Sequence, residues 1–196
     1  MTTFKSRRRF TKGLGALLGA SGLLSPMRSR GANPGLLDPT PACAGHRTIR
    51  QTPGPFFTPH TPHRRDFAVD DPDGSPFTLV GFVRNRKCEI VENAMVELWH
   101  TDSLGRYDNS GYRMRGHQFT DAQGRFLFNT IVPGDYPSRT KHFHVTVLIP
   151  GKTELTTQLY WPRYKNNKGD WIHKSELEMT VGEIDGIAAG RFDFVI

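Results

Sequence analysis

His142-Phe143-His144-Val145-Thr146-Val147-Leu148-Ile149 is the stretch on which the fold of this chain turns. Its β-branched and aliphatic residues suit a pleated, half-buried strand. Side chains alternate along a strand, so His142 and His144 project to one face and Phe143 to the other, which sets two imidazoles side by side. That pair reads either as half of a metal site or as two histidines on a solvated sheet face.

Working outward, short runs of the same kind predict strands over Phe77 to Val83, Met95 to Trp99, Arg125 to Phe128, Met179 to Val181 and Arg191 to Ile196. Between them Asp71-Pro72-Asp73-Gly74, Asp121-Ala122-Gln123-Gly124 and Val132-Pro133-Gly134-Asp135 supply the residues that tight reversals need. No long amphipathic pattern competes. The expectation is an all-β fold, an antiparallel β-sandwich with long loops over residues 63–196. Residues 32–62, rich in Pro and Gly and without helical periodicity, read as an extended arm lying on it.

The formal charge of +7 would suggest nucleic acid as a partner if the basic residues were spread over the fold. Seven of them instead fall within residues 1–31, which contain no Asp or Glu. Removing seven from 26 leaves 19 basic residues against 19 acidic, so the remainder is neutral and nucleic acid loses its support. Within 1–31, Ser6-Arg7-Arg8-Arg9-Phe10-Thr11-Lys12 precedes an apolar run from Gly13 to Leu24 that is too short to span a bilayer. It resembles a twin-arginine export signal with Thr11 where Leu is frequent. The expectation is a protein exported already folded to an extracytoplasmic compartment, touching membrane only through that signal, which is either cleaved or retained as an anchor. Export in the folded state suits a protein that acquires a metal first. An oxidising compartment would let Cys43 and Cys88 pair; two separate thiols fit the sequence equally well.

Candidate metal donors gather around the paired histidines. Tyr136 stands in Pro133-Gly134-Asp135-Tyr136-Pro137, six residues before His142, and Tyr107 stands in Gly105-Arg106-Tyr107. No carboxylate joins the histidines at the spacing of a ferrous facial triad. Phenolates suit a hard trivalent ion such as Fe(III), whose charge can deprotonate a tyrosine. Each tyrosine alone reads more readily as an amphipathic residue at a strand edge than as a ligand.

The ordered pieces Gly54-Pro55-Phe56-Phe57, Val96-Glu97-Leu98-Trp99-His100 with Gly105-Arg106-Tyr107, Thr120-Asp121 with Gly124-Arg125-Phe126, Thr130-Ile131-Val132-Pro133-Gly134-Asp135-Tyr136, Arg139 with His142-Phe143-His144, and Thr157-Gln158 resemble the intradiol ring-cleavage dioxygenases. The resemblance implies an Fe(III) site held by Tyr107, Tyr136, His142 and His144. It also implies a catechol-type substrate cleaved with O2 between its two hydroxylated carbons to a muconate-type diacid. Tyr136 would leave the metal when substrate chelates and act as a base. Arg139 would stabilise negative charge on the substrate, and Gln158 would orient it.

Two departures from the family pattern bear on this reading. The interval from Tyr136 to His142 is short where family members carry a longer loop, and Tyr112 lies close enough to Tyr107 in the chain to compete as a ligand. Two other readings stay open: an exported, non-catalytic binding module on the same sandwich, and a copper or zinc site built on His142, His144 and His100 or His117. Arg113, Arg115, Arg163 and Lys165 read as solvated loop charges, with neutralisation of an acidic substrate as the other use. All four ligand candidates lie in one chain, so a homo-oligomer is allowed but not required to complete the site.

Overall fold

The protein is described by a computed structural model covering residues 37–39, 43, 45–149 and 155–196. The expected export segment at 1–31 and part of the start of the arm lie outside the described residues. Among the described residues nine strands follow in chain order: β1 (Pro76–Arg84), β2 (Met95–Trp99), β3 (Arg115–Phe119), β4 (Arg125–Ile131), β5 (His142–Leu148), β6 (Leu155–Tyr160), β7 (Thr180–Ile184), β8 (Ile187–Arg191) and β9 (Phe194–Val195). They form two sheets, one ordered β4-β1-β8-β7 with β9 also on β1, the other ordered β3-β2-β5-β6.

The core lies between the sheets and follows period two. Phe77 and Leu79 of β1 and Phe126 and Phe128 of β4 face Val96 and Leu98 of β2 and Phe143, Val145 and Val147 of β5, all buried in one cluster. This is the face-to-face packing of a β-sandwich. It is not wholly antiparallel, because β1 pairs in parallel with both β8 and β9.

Three strands lie outside the predicted runs, each for a different reason. β3 carries Arg115, Gly116, His117 and Gln118, with no apolar alternation to announce it; pairing with β2 makes it a strand. β6 includes Thr156, Thr157 and Gln158, yet every residue in it is buried, because the chain near Gln51 lies along it: Gln51 N–H donates to Thr156 O (2.9 Å) and Thr157 Oγ1 donates to Ile49 O (2.6 Å). β8 pairs antiparallel with β7 through a tight turn at Asp185-Gly186, both at positive φ (52° and 78°). An Asp-Gly pair is a strong hairpin signal, and the sequence reading passed over it.

The two cysteines are joined. Cys43 and Cys88 form a disulfide across a sequence separation of 45, tying the start of the arm to the turn after β1. Arg115 is not a solvated loop charge. It is buried at the start of β3, where its guanidinium donates to Phe56 O (2.6 Å) and Asp108 O (2.7 Å).

Candidate metal centre

The two histidines of β5 point away from the sandwich core, as strand alternation requires. Phe143 between them is buried in the core, while His142 and His144 face each other on the other side with their Nε2 atoms 3.1 Å apart. The Tyr107 hydroxyl completes a triangle, 3.2 Å from His142 Nε2 and 3.1 Å from His144 Nε2.

The loop that delivers Tyr107 is built around carboxylates. Asp102 accepts from the N–H groups of Leu104 and Arg106, and Asp108 accepts from those of Ser110, Gly111 and Arg113. These donors, led by Arg113 N–H, hold the Asp108 carboxyl down at about 2. Tyr112, the competing phenol, is exposed and bonds to Pro59 O, so Tyr107 and not Tyr112 lies beside the histidines.

Tyr136 arrives on the adjacent turn. Gly105 of the Tyr107 loop has φ +78°, and a Cβ there would lie 2.1 Å from Asp135 O; a Cβ on Gly134 would lie 2.2 Å from Gly105 N. Only glycines let the two tyrosine-bearing segments approach this closely. The Tyr136 ring stands edge-on to Tyr107, centroids 5.7 Å apart. Its hydroxyl makes no hydrogen bond to the described residues and so stands outside the triangle.

Burial of the two histidines and the charges nearby set the protonation states. Trp99 stacks on His144 at 5.0 Å and Phe56 on Tyr107 at 4.6 Å. Burial, reinforced by the Arg139 charge, takes His142 down to about 4, and burial takes His144 well below its ordinary value, so both rings are neutral near pH 7. Burial pushes the Tyr107 phenol up, against the opposing pull of Arg139 and Arg115. Thr140 O lies 2.7 Å from His142 Nδ1, so the neutral ring keeps its proton there and turns a lone pair at Nε2 into the triangle. His144 Nδ1 is buried without a partner.

This donor set fits a metal. Three contacts share one phenol proton and at most one proton from His144, so protons alone cannot satisfy them. Donors 3.1–3.2 Å apart match the spacing around a common ion at about 2.0–2.1 Å from each. Among the described residues no three His, Cys, Asp or Glu gather to hold a metal, so the phenol oxygen is what completes a third donor. His100 is turned elsewhere: its ring meets Phe143 on the core side, with Nδ1 2.7 Å from Thr101 O and Nε2 2.6 Å from Thr130 Oγ1. His117 stacks on His63. Neither belongs to the triangle.

Arg139 and Gln158 lie beside the site, bonded to each other. Gln158 is opposite His144 in the β5–β6 register and fully buried. Its Oε1 accepts from Arg139 Nη2 (2.6 Å), and its Nε2 donates to Thr52 O (3.0 Å). Arg139 is no surface arginine, because its Nε donates to the buried carboxylate of Asp170 at 2.8 Å. The sequence reading had not singled out Asp170; only its place in the fold marks it.

A family model described as Dioxygenase (Dioxygenase_C) matches residues 52–195. A catechol 1,2-dioxygenase from Acinetobacter guillouiae is 32% identical over 140 residues, covering 57% of this chain and 46% of the relative. The β chain of protocatechuate 3,4-dioxygenase from Burkholderia cepacia is 30% identical over 110 residues, 47% of each. The chain thus spans about half the length of these relatives. Among solved structures, the dioxygenase domain of a dioxygenase carbohydrate-binding protein fusion from Streptomyces sp. SirexAA-E superposes with a TM-score of 0.74 at 40% identity, covering 77% of this chain and 98% of that one. Since the matched segment spans most of the chain and includes the Tyr107–His142–His144 triangle, the chain belongs to the intradiol ring-cleavage dioxygenase family.

Proposed function

We propose that this protein is a non-haem Fe(III) dioxygenase that cleaves a catechol-type ring between its two hydroxylated carbons, incorporating both atoms of O2 to give a muconate-type diacid. The observation that carries the proposal is the triangle of Tyr107 Oη, His142 Nε2 and His144 Nε2, with Tyr136 alongside. The family is iron-dependent, and the two-imidazole, phenol donor set suits a hard trivalent ion.

Tyr107, His142 and His144 hold the metal, with Tyr136 as the fourth ligand. When bound, Fe(III) supplies the Lewis acidity that favours a doubly deprotonated catechol and withdraws electron density from it. Tyr136 is the residue free to move, because its hydroxyl has no protein hydrogen bond to break, and it takes one of the two phenolic protons that the substrate releases. His142 stays in place, tied by Thr140 O. Trp99 and Phe56 cover the His144 and Tyr107 rings, and the burial of the histidines strengthens charge interactions at the site. Arg139 provides positive charge beside the substrate as it becomes anionic.

We further propose that the chain is exported folded by the twin-arginine route. The Cys43–Cys88 disulfide supports this, since such bonds persist in oxidising compartments.

The test is the visible spectrum and iron content of purified protein, before and after anaerobic addition of catechol or protocatechuate. A broad ferric-tyrosinate band with near-stoichiometric iron, shifting on addition, is expected. A protein that stays colourless after ferric reconstitution overturns the proposal and returns the sandwich to a binding role.

A further inference from the structure

The Arg139–Asp170 pair is one edge of a ring of polar contacts in which the single Tyr160 proton serves Gln51 or Gln158. Arg139 Nε donates to Asp170 Oδ2 (2.8 Å) and Arg139 Nη2 to Gln158 Oε1 (2.6 Å). The Tyr160 hydroxyl lies 3.0 Å from that same Gln158 oxygen and 2.7 Å from Gln51 Oε1, to which it donates. Gln51 Nε2 donates to Ile172 O (2.6 Å), and Ile172 N–H returns to Asp170 Oδ1 (3.2 Å). The ring joins the arm, β6, the segment entering β5 and the loop between β6 and β7. Asp170 is the only carboxylate in it, with a side chain that is 0% exposed.

A planar guanidinium held at Nε and at one Nη has no rotation left, so Asp170 and Gln158 together set its orientation. The position matters because Gln158, which accepts from Arg139, lies directly opposite His144 in the β5–β6 register. Asp170 also accepts from Thr140 N–H (3.0 Å), and Thr140 O is the group that orients His142. One buried carboxylate therefore aligns both the arginine and the strand entry that carries the first histidine. We propose that Asp170 is the positioning residue of the ring-cleavage site, acting through Arg139 and Thr140 without touching substrate. The proposal rests on the dioxygenase reading above and adds a residue to it.

The test compares iron-loaded wild type, Asp170→Asn, Arg139→Gln and the double variant, using catechol and O2. It also follows exchange of the Arg139 Nε–H by NMR. In Asp170→Asn the iron content and ferric band are expected to persist and KM to change little. The kcat should fall about ten- to a hundred-fold, the range for outer partners of a metal site. The double variant should fall no further than Arg139→Gln alone, because both changes remove one coupled element. The Nε–H should be protected in the wild type and exchange freely in Asp170→Asn.

Unchanged kcat in Asp170→Asn, or losses that multiply in the double variant, overturns the proposal. So does fast Nε–H exchange in the wild type, a measurement that needs no variant to fold. A wild type that holds iron and turns over catechol while Asp170→Asn matches it defeats this inference alone. A wild type without iron or turnover defeats the dioxygenase reading and the catalytic part of this inference with it, and Nε–H exchange then decides whether Asp170 holds Arg139.

Discussion

The two faces of β5 do opposite work with the same backbone. On the core side, Phe143, Val145 and Val147 are buried among apolar neighbours that leave them nothing unsatisfied. On the other side, His142 and His144 are as deeply buried, yet meet a phenol and each other across contacts that protons cannot all fill. Two buried histidines sharpen the contrast. His100, against Phe143, has a protein partner at each nitrogen, whereas His144 has a buried Nδ1 with none. Burial alone therefore does not mark a site; burial with incomplete satisfaction does.

Replacing one residue on each face should separate the two roles. His144→Ala is expected to lose ferric absorption and to reduce turnover by more than the roughly 100-fold that outer partners of a metal can cost, with the fold retained by far-UV circular dichroism. Phe143→Ala should do the reverse, lowering unfolding free energy by about 3–5 kcal/mol in a denaturant titration while the folded fraction keeps its ferric band. A variant that loses both together would break the comparison.

The closed histidine predicts a pH dependence. Burial depresses His100 from 6.5 to about 4. The unfolded chain therefore binds a proton that the folded one refuses, and the stability contribution of neutral His100 is full above pH 6.5 and lost as pH falls toward 4. The loss is on the order of 3 kcal/mol. Metal-free His142 and His144 add to it with the same sign. His100→Gln, which keeps a polar group near Thr130, should flatten part of this slope in denaturant titrations between pH 7 and 4.

The smallest effect expected is at the arm. Gly54 has φ +72°, and a Cβ there would stand 3.2 Å from His144 Cε1. Gly54→Ala should cost about 1–2 kcal/mol of stability from the left-handed backbone and shift the ferric band by displacing His144. A band identical to that of the wild type would show that the arm covers the site without shaping it.

Much of the site was legible before the fold. Alternation along β5 placed His142 and His144 together, and the glycine-flanked tyrosines marked the loops that approach them. What was not legible depended on contacts distant in the chain. Arg115 reads as a loop charge, and only the packing of Phe56 and Asp108 around it makes it a buried strut. The polar strand β6 lacked a periodic signal because both of its faces are buried by other parts of the chain, and β3 lacked one because pairing with β2 rather than apolar alternation makes it a strand. The Asp185-Gly186 turn, by contrast, is a local signal that the sequence does carry.

The sequence by itself determined that this is a β-sandwich with two histidines on one strand face, because period two is a local property of the backbone. It also carried the ordered motifs of the intradiol family. Tertiary structure alone decided that Tyr107 rather than Tyr112 meets the histidines, that Cys43 and Cys88 pair, and that Asp170 holds Arg139. Each of these joins residues through side-chain geometry across loops whose path the local pattern does not set.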